Sequence, residues 1–365
     1  MRARELGLAL EGRTGPLNAV TDVPGVRVGY RTIRREDVRP AVRTGVTAIL
    51  PFGREGPLRP AWAGSFTLNG NGEMTGLQWV QDGGWFMGPI CLTSTHSVGI
   101  VHHAAVRWLV RTYPDAFTSQ HLWALPVVAE TYDGTLSDVL GQRITEEDAL
   151  AAIDAASGGA PAEGSVGGGT GMVCYGYKAG SGTASRVLED GPPGLKGTVG
   201  AFVQANFGLP ELLTVTGVPV GRLLPRRPER PRPEQGSVIG VVATDLPLLP
   251  HQLRRVARRA ALGIARTGSS SGNSSGDIFL AFSTANPPPL PGQGPDVLEL
   301  QALSDRLLDS VYEAVCQAVE EAVLNAILAG EPMSAVRAGD ADVPAIDVPA
   351  LLEILRRHGR LREDG

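Results

Sequence analysis

Apolar and polar positions alternate through residues 18–30 (NAVTDVPGVRVGY) around a Pro-Gly turn, a pattern that predicts a hairpin. Residues 44–53 (TGVTAILPFG) read as a buried strand, residues 66–84 (FTLNGNGEMTGLQWVQDGG) as a glycine-dense loop, and residues 88–99 (GPICLTSTHSVG) as a strand ending in a turn. A helical period follows, with Val98, Val101, Ala105 and Leu109 on one face. Residues 123–134 form a short apolar strand running into an acidic turn. Residues 145–156 are a helix opened by a capping box at Thr145. Residues 163–186 read as a glycine loop, a strand and a second glycine loop, and residues 197–208 as a strand ending near Asn206.

The second half is more regular. Residues 238–244 (VIGVVAT) are nearly continuous β-branched positions, which suits a strand covered on both faces. Residues 251–266 carry a helical stripe of Leu253, Val256, Ala257, Ala260, Ala261 and Ile264, with arginines on the other face. Residues 277–286 are a buried strand. Residues 304–330 are a long amphipathic helix, capped by Ser304 or Asp305 and closed by Gly330. A short amphipathic helix with Leu351, Leu352, Ile354 and Leu355 lies in the last 35 residues and packs on its own domain or on a neighbouring subunit. Strands and helices mix without strict βαβ alternation, so the expected class is α+β, strand layers covered by helices on both sides.

Composition sharpens this picture. The 47 glycines and 28 prolines among 365 residues imply tight turns and short strands, not a helical bundle. Four prolines within residues 221–236 forbid helix or central strand there, so that segment is expected to be exposed and extended. It holds five arginines (Arg222, Arg226, Arg227, Arg230, Arg232), read as a solvated loop. The formal net charge of −5 argues against a nucleic-acid partner. No apolar run has the length of a secretory core or a membrane span, so the expectation is a cytoplasmic protein without a membrane partner. Cys91, Cys174 and Cys316 are far apart and in apolar contexts, which suggests buried free thiols.

Several chemistries lack their signatures. The histidines form no HExxH and no Cys/His cluster, so no metal is expected. The glycines of EGSVGGGTGM match neither a P-loop nor G-x-G-x-x-G, so no nucleotide cofactor is expected. No G-x-S-x-G elbow is present. Gly236-Ser237 stands out instead, at the junction of a polar loop and a buried strand. A serine hydroxyl can attack the preceding carbonyl, glycine leaves that carbonyl unhindered, and ester hydrolysis then frees an α-amine with a reference pKa of about 7.7–8.0.

The chain as a whole resembles the DmpA-like peptidases of family P1, which include L-aminopeptidase/D-esterases and β-peptidyl aminopeptidases. The resemblance rests on TDVPGVRVGY, RTGVTAILP, NGNGEMTGLQWV, PICLTSTHSVG, PVVAETYDG, EGSVGGGTGM, GSGTASR, VQANFG and the long stretch from GSVIGVVATD to FSTAN, in that order over roughly residues 17–330. It implies a four-layer αββα sandwich of the DmpA/ornithine-acetyltransferase type, related to the N-terminal-nucleophile hydrolases. It also implies self-cleavage between Gly236 and Ser237 into chains 1–236 and 237–365, and a homo-oligomer of cleaved pairs. By the same resemblance Ser237 is the nucleophile and Asn206 the oxyanion donor. Ser275 and Asp277 orient or activate the serine, and Glu130 and Tyr132 line the pocket for the substrate's amine, with Asp133 ranked behind Glu130. Some relatives carry Glu in place of Asp277. The implied activity is a serine aminopeptidase acting on short peptides, aminoacyl amides or esters, without cofactor. The base is either the Ser237 α-amine or the Ser275/Asp277 pair. Rival readings are an ornithine-acetyltransferase-like acyl transferase, against which Ser237 and AETYD speak, and an uncleaved binding homologue.

Overall fold

Two sheets stack face to face in a computed structural model of the chain, which describes all residues except 120, 190–193, 226–235, 338 and 363–365. The first part of the chain gives β1 (Arg27–Arg35), β2 (Val42–Leu50), β3 (Pro60–Gly70), α1 (Leu77–Gly83), β4 (Trp85–Met87) and β5 (Ile90–Ser94). Then come α2 (Val98–Thr112), α3 (Pro114–Thr118), β6 (Val127–Thr131), α4 (Glu146–Asp154), β7 (Val173–Cys174), β8 (Tyr177–Lys178), β9 (Ser181–Val187) and β10 (Thr198–Asn206). The remainder gives α5 (Val220–Leu223), β11 (Ser237–Thr244), α6 (Pro250–Arg266), β12 (Gly276–Ser283), α7 (Leu308–Leu328) and α8 (Val348–Arg357).

One sheet has the order β1-β2-β5-β6, the other β4-β3-β12-β11-β10-β9, and β7 and β8 form a two-stranded ribbon. Ile49, Ile90, Leu92 and Val127 of the first sheet meet Phe202, Ile239, Val241 and Leu280 of the second in a buried cluster between them. On the outer face of the four-stranded sheet, Val46, Ala48 and Val128 pack with Val101, Trp108, Leu109 and Ile153 of α2 and α4. On the outer face of the six-stranded sheet, Val238, Val242 and Phe279 pack with Leu253, Val256 and Val319 of α6 and α7. The result is the expected helix–sheet–sheet–helix sandwich. No helix among the described residues is long and apolar enough to cross a membrane.

Several local expectations are corrected. Residues 18–30 do not form a hairpin: Val20–Asp22 is a 3-10 turn, and β1 pairs with β2 instead. The glycine-dense stretch from residue 66 contains the end of β3 and all of α1. The second glycine loop is strand β9, where a Cβ on Gly182 would sit 2.0 Å from the Ala322 carbonyl, so glycine there serves the close approach of α7. The 221–236 segment is not extended throughout, because residues up to Leu223 continue α5 and Leu224 is buried. Arg226, Arg227, Arg230 and Arg232 lie outside the described residues. Cys316 is only half-buried, whereas Cys91 and Cys174 are buried. α8 packs on its own chain, with Leu351 and Leu355 in the same apolar cluster as Val220 of α5.

α7 is less amphipathic than its sequence suggests, since Gln317, Glu320, Glu321 and Asn325 are buried along with its apolar residues. Arg186 of β9 meets Glu321 at 2.7 Å, with both side chains out of water, and Arg4 reaches the same carboxylate at 2.9 Å. Asn325 accepts the Ala3 backbone N–H at 2.9 Å and donates to the Thr183 carbonyl at 2.9 Å. These contacts tie residues on either side of Ser237 into one polar seam inside the core.

Candidate active site

Ser237 is the first residue of β11, in the middle of the six-stranded sheet. It stands opposite Asn206 of antiparallel β10 and opposite Gly276 of parallel β12. Its hydroxyl donates to the Gly236 carbonyl at 2.7 Å, and the Gly276 N–H donates to the same oxygen at 3.2 Å. The carbonyl that precedes the serine is therefore held and polarised by a backbone donor from the next strand. A Cβ on Gly236 would lie 2.3 Å from the Asn206 carbonyl oxygen and 2.8 Å from Phe207 Cα, both backbone atoms, so glycine is required by space at this position.

The Asn206 side chain is fixed from two sides. Its Oδ1 accepts the Val173 N–H at 2.8 Å, and its Nδ2 donates to the Tyr132 carbonyl at 2.9 Å. These partners settle the amide orientation and leave the second Nδ2–H without an acceptor among the described residues. Ser275 donates to Asp277 Oδ1 at 2.6 Å, and both are buried. Burial pushes the Asp277 carboxyl above its usual range, while hydrogen bonds from Ser271, Ser275 and the Val238 backbone hold it partly down. The loop before β12 is pinned by Asn69 Nδ2 on the Gly272 carbonyl and Asn71 Nδ2 on the Ser274 carbonyl, each at 2.7 Å. Ser237 makes no side-chain bond to Ser275 or Asp277; its register partner Gly276 places it beside them.

The other sheet supplies the acidic side. Glu130 of β6 is 3% exposed; it accepts the Glu73 N–H at 3.0 Å and the Thr95 hydroxyl. Burial raises its pKa, so an incoming cation would be welcomed. A Cβ on Gly72 would lie 3.2 Å from both Glu130 Oε1 and Gly276 Cα, which places this carboxylate close to the start of β12. Tyr132 follows β6 and is 38% exposed, and its hydroxyl accepts from Arg337 Nη2 at 3.1 Å. Asp133 is fully buried, bonded by Thr44 Oγ1 at 2.6 Å and Ser94 Oγ at 2.8 Å, and burial pushes its carboxyl up to about 6.

All the residues singled out from the sequence thus converge where the edge strand of one sheet meets β10 and β11 of the other. Asp133, ranked behind Glu130 for the substrate's amine, is a buried acid whose two oxygens are already taken by Thr44 and Ser94. Thr95, Asn71 and Arg337 also contribute and carried no local signal, because each reaches the site only through tertiary packing.

The profile of Peptidase family S58 matches residues 18–340. The chain is 44% identical to the β-peptidyl aminopeptidase BapA of Sphingosinicella microcystinivorans over 377 aligned positions, covering 98% of this chain and 93% of that one. It superposes on the L-aminopeptidase D-Ala-esterase/amidase of Ochrobactrum anthropi, described as a variant of the Ntn hydrolase fold, with a TM-score of 0.93 and 49% identity over 99% of both chains. A Burkholderia β-aminopeptidase gives a TM-score of 0.88 at 42% identity, covering 100% of each chain. The chain therefore belongs to peptidase family S58, and it is a hydrolase of the aminopeptidase type.

Proposed function

We propose that the chain cuts itself between Gly236 and Ser237 and then works as a serine aminopeptidase on short peptides, aminoacyl amides or esters. The observation that carries this reading is the Gly236 carbonyl, which accepts both the Ser237 hydroxyl and the Gly276 N–H. In the first step Ser237 Oγ attacks the Gly236 carbonyl carbon, the C–N bond breaks, and the acyl group moves to oxygen as the proton passes to the new amine. Water hydrolyses the ester to a Gly236 carboxylate and a free Ser237 N-terminus. Chains 1–236 and 237–365 remain one folded domain.

In the second reaction the substrate's ammonium lies against Glu130, beside Tyr132. Ser237 Oγ attacks the substrate carbonyl, and the free Nδ2–H of Asn206 meets the oxyanion. The leaving amine takes the proton, and water releases the N-terminal residue from the acyl-enzyme. Either the Ser237 α-amine or the Asp277 carboxylate through Ser275 serves as base. The β-peptidyl aminopeptidase and D-Ala-esterase/amidase relatives support small N-terminal residues that need not be ordinary α-L-amino acids. Family resemblance supports a homo-oligomer of cleaved pairs.

Intact mass of wild type beside Ser237→Ala tests the reading. Two wild-type chains ending at 236 and beginning at 237, with one uncut chain in the variant, are expected. A wild type that stays whole and hydrolyses no aminoacyl amide refutes it.

A further inference from the structure

Beyond α7 the chain turns back over the site. Met333 and Val343 exchange backbone hydrogen bonds at 2.8 and 2.9 Å, and Asp342 Oδ1 accepts the Ala335 N–H at 3.0 Å, closing a hairpin-like loop. This loop is docked, not draped. Val336 N–H donates to the Thr135 carbonyl at 3.3 Å, and buried Arg43 holds the Ser334 carbonyl at 2.5 Å and its hydroxyl at 3.0 Å. Arg337 therefore has a defined place, with Nη2 on the Tyr132 hydroxyl at 3.1 Å.

That guanidinium is unusual in its company. It is exposed and makes no ion pair among the described residues; its one side-chain bond goes to a neutral phenol. Arg43, by contrast, meets Glu36 through two nitrogens. A guanidinium held at one nitrogen keeps its remaining donors free in a planar fork that matches a carboxylate. The group it is held by belongs to the proposed substrate pocket: Tyr132 lies two residues past Glu130, and its carbonyl holds Asn206. The site thus offers an anion for the amine at one end and an unpaired cation at the rim.

We infer that Arg337 binds the free C-terminal carboxylate of a short peptide substrate, so that the site selects short peptides over otherwise identical ones whose C-terminus is amidated. The inference rests on the reading of Ser237, Asn206 and Glu130 above. It makes the loop a specificity element that the small chain lays over a pocket built mainly by the large one.

The test is the ratio of kcat/KM for a dipeptide to that for the same dipeptide amide, in wild type, Arg337→Gln and Arg337→Lys. The ratio is expected to fall roughly 10- to 100-fold in Arg337→Gln, the size of one charge-assisted hydrogen-bonded pair. The loss should appear in KM, and Arg337→Lys should restore part of it. A ratio equal in wild type and Arg337→Gln, with turnover of both substrates intact, overturns the role of Arg337 and leaves the active-site reading standing. Turnover that survives Ser237→Ala, or a wild type that turns over neither substrate, refutes that reading and the inference with it.

Discussion

Asn206→Asp separates the two duties given to this side chain. The substitution keeps shape and keeps the oxygen that accepts the Val173 N–H at 2.8 Å. It replaces the nitrogen that donates to the Tyr132 carbonyl at 2.9 Å with an oxygen, so two acceptors face each other in a site only 7% exposed. Leaving that carbonyl unpaired is expected to cost about 1–3 kcal/mol of stability. The second loss is catalytic: with no N–H on the side chain, the oxyanion loses a donor, worth roughly 10²- to 10³-fold in kcat. The two effects are read independently. Urea denaturation at neutral pH measures the first, and turnover of an aminoacyl anilide, divided by the fraction of cut chain found by mass spectrometry, measures the second. A variant that stays folded but does not cut at all shows that the donor also serves the first acyl transfer. Turnover per cut chain within about threefold of wild type would refute the assignment of Asn206 as oxyanion donor, whatever the stability change.

Two further outcomes follow from the buried charges. Asp133 has a folded-state pKa of about 6 against an ordinary 3.8, so the folded chain binds its proton more tightly than the unfolded one. This contribution is fully present below the ordinary pKa and is lost as pH rises through 6, by on the order of 3 kcal/mol. Asp133→Asn should therefore gain stability relative to wild type between pH 4 and pH 7 in parallel urea melts; parallel pH curves for the two proteins would show that the carboxyl titrates normally. Glu321→Leu strands the buried Arg186 guanidinium and should cost about 3–5 kcal/mol, with partial recovery in the double variant Arg186→Met/Glu321→Leu; a single-variant cost below about 1 kcal/mol would mean that the seam is solvated.

The parts of this molecule that could be read from sequence are those where one period dominates. β11 and β12 are continuous apolar runs because both faces are covered, and α6 keeps its stripe because its other face meets water. β9 and the end of β3 were hidden because their glycines, asparagines and threonines look like loop. In the fold those glycines admit a helix, and the asparagines hold the loop before β12. The polar face of α7 is illegible for the opposite reason: Glu321 and Asn325 fall where solvent is expected, but their partners come from the first residues of the chain and from β9. Ser237 and Asn206 could be named through family resemblance. Their placement opposite each other could not, since register is a property of the assembled sheet. Arg337 gave no signal at all, being 205 residues from Tyr132.

The position of the proposed cut would let one domain survive as two chains. Ser237 is held by residues that lie beyond the bond to be broken: Asn206 on one side and Gly276 on the other fix it through the sheet. Breaking the Gly236–Ser237 bond removes no ladder partner from β11, so the new N-terminus would stay beside the Ser237 hydroxyl. Its amine then sits between opposing influences. Burial disfavours the ammonium, while the Asp277 carboxylate, in register with Val238, favours it. On the proposed reading, separating the two chains would abolish activity. The large chain holds Asn206, Glu130 and Tyr132, the small chain holds Ser237, Ser275, Asp277 and Arg337, and the Arg186–Glu321 pair joins them inside the core. Losing the pairing removes the nucleophile's register and the oxyanion donor in one event.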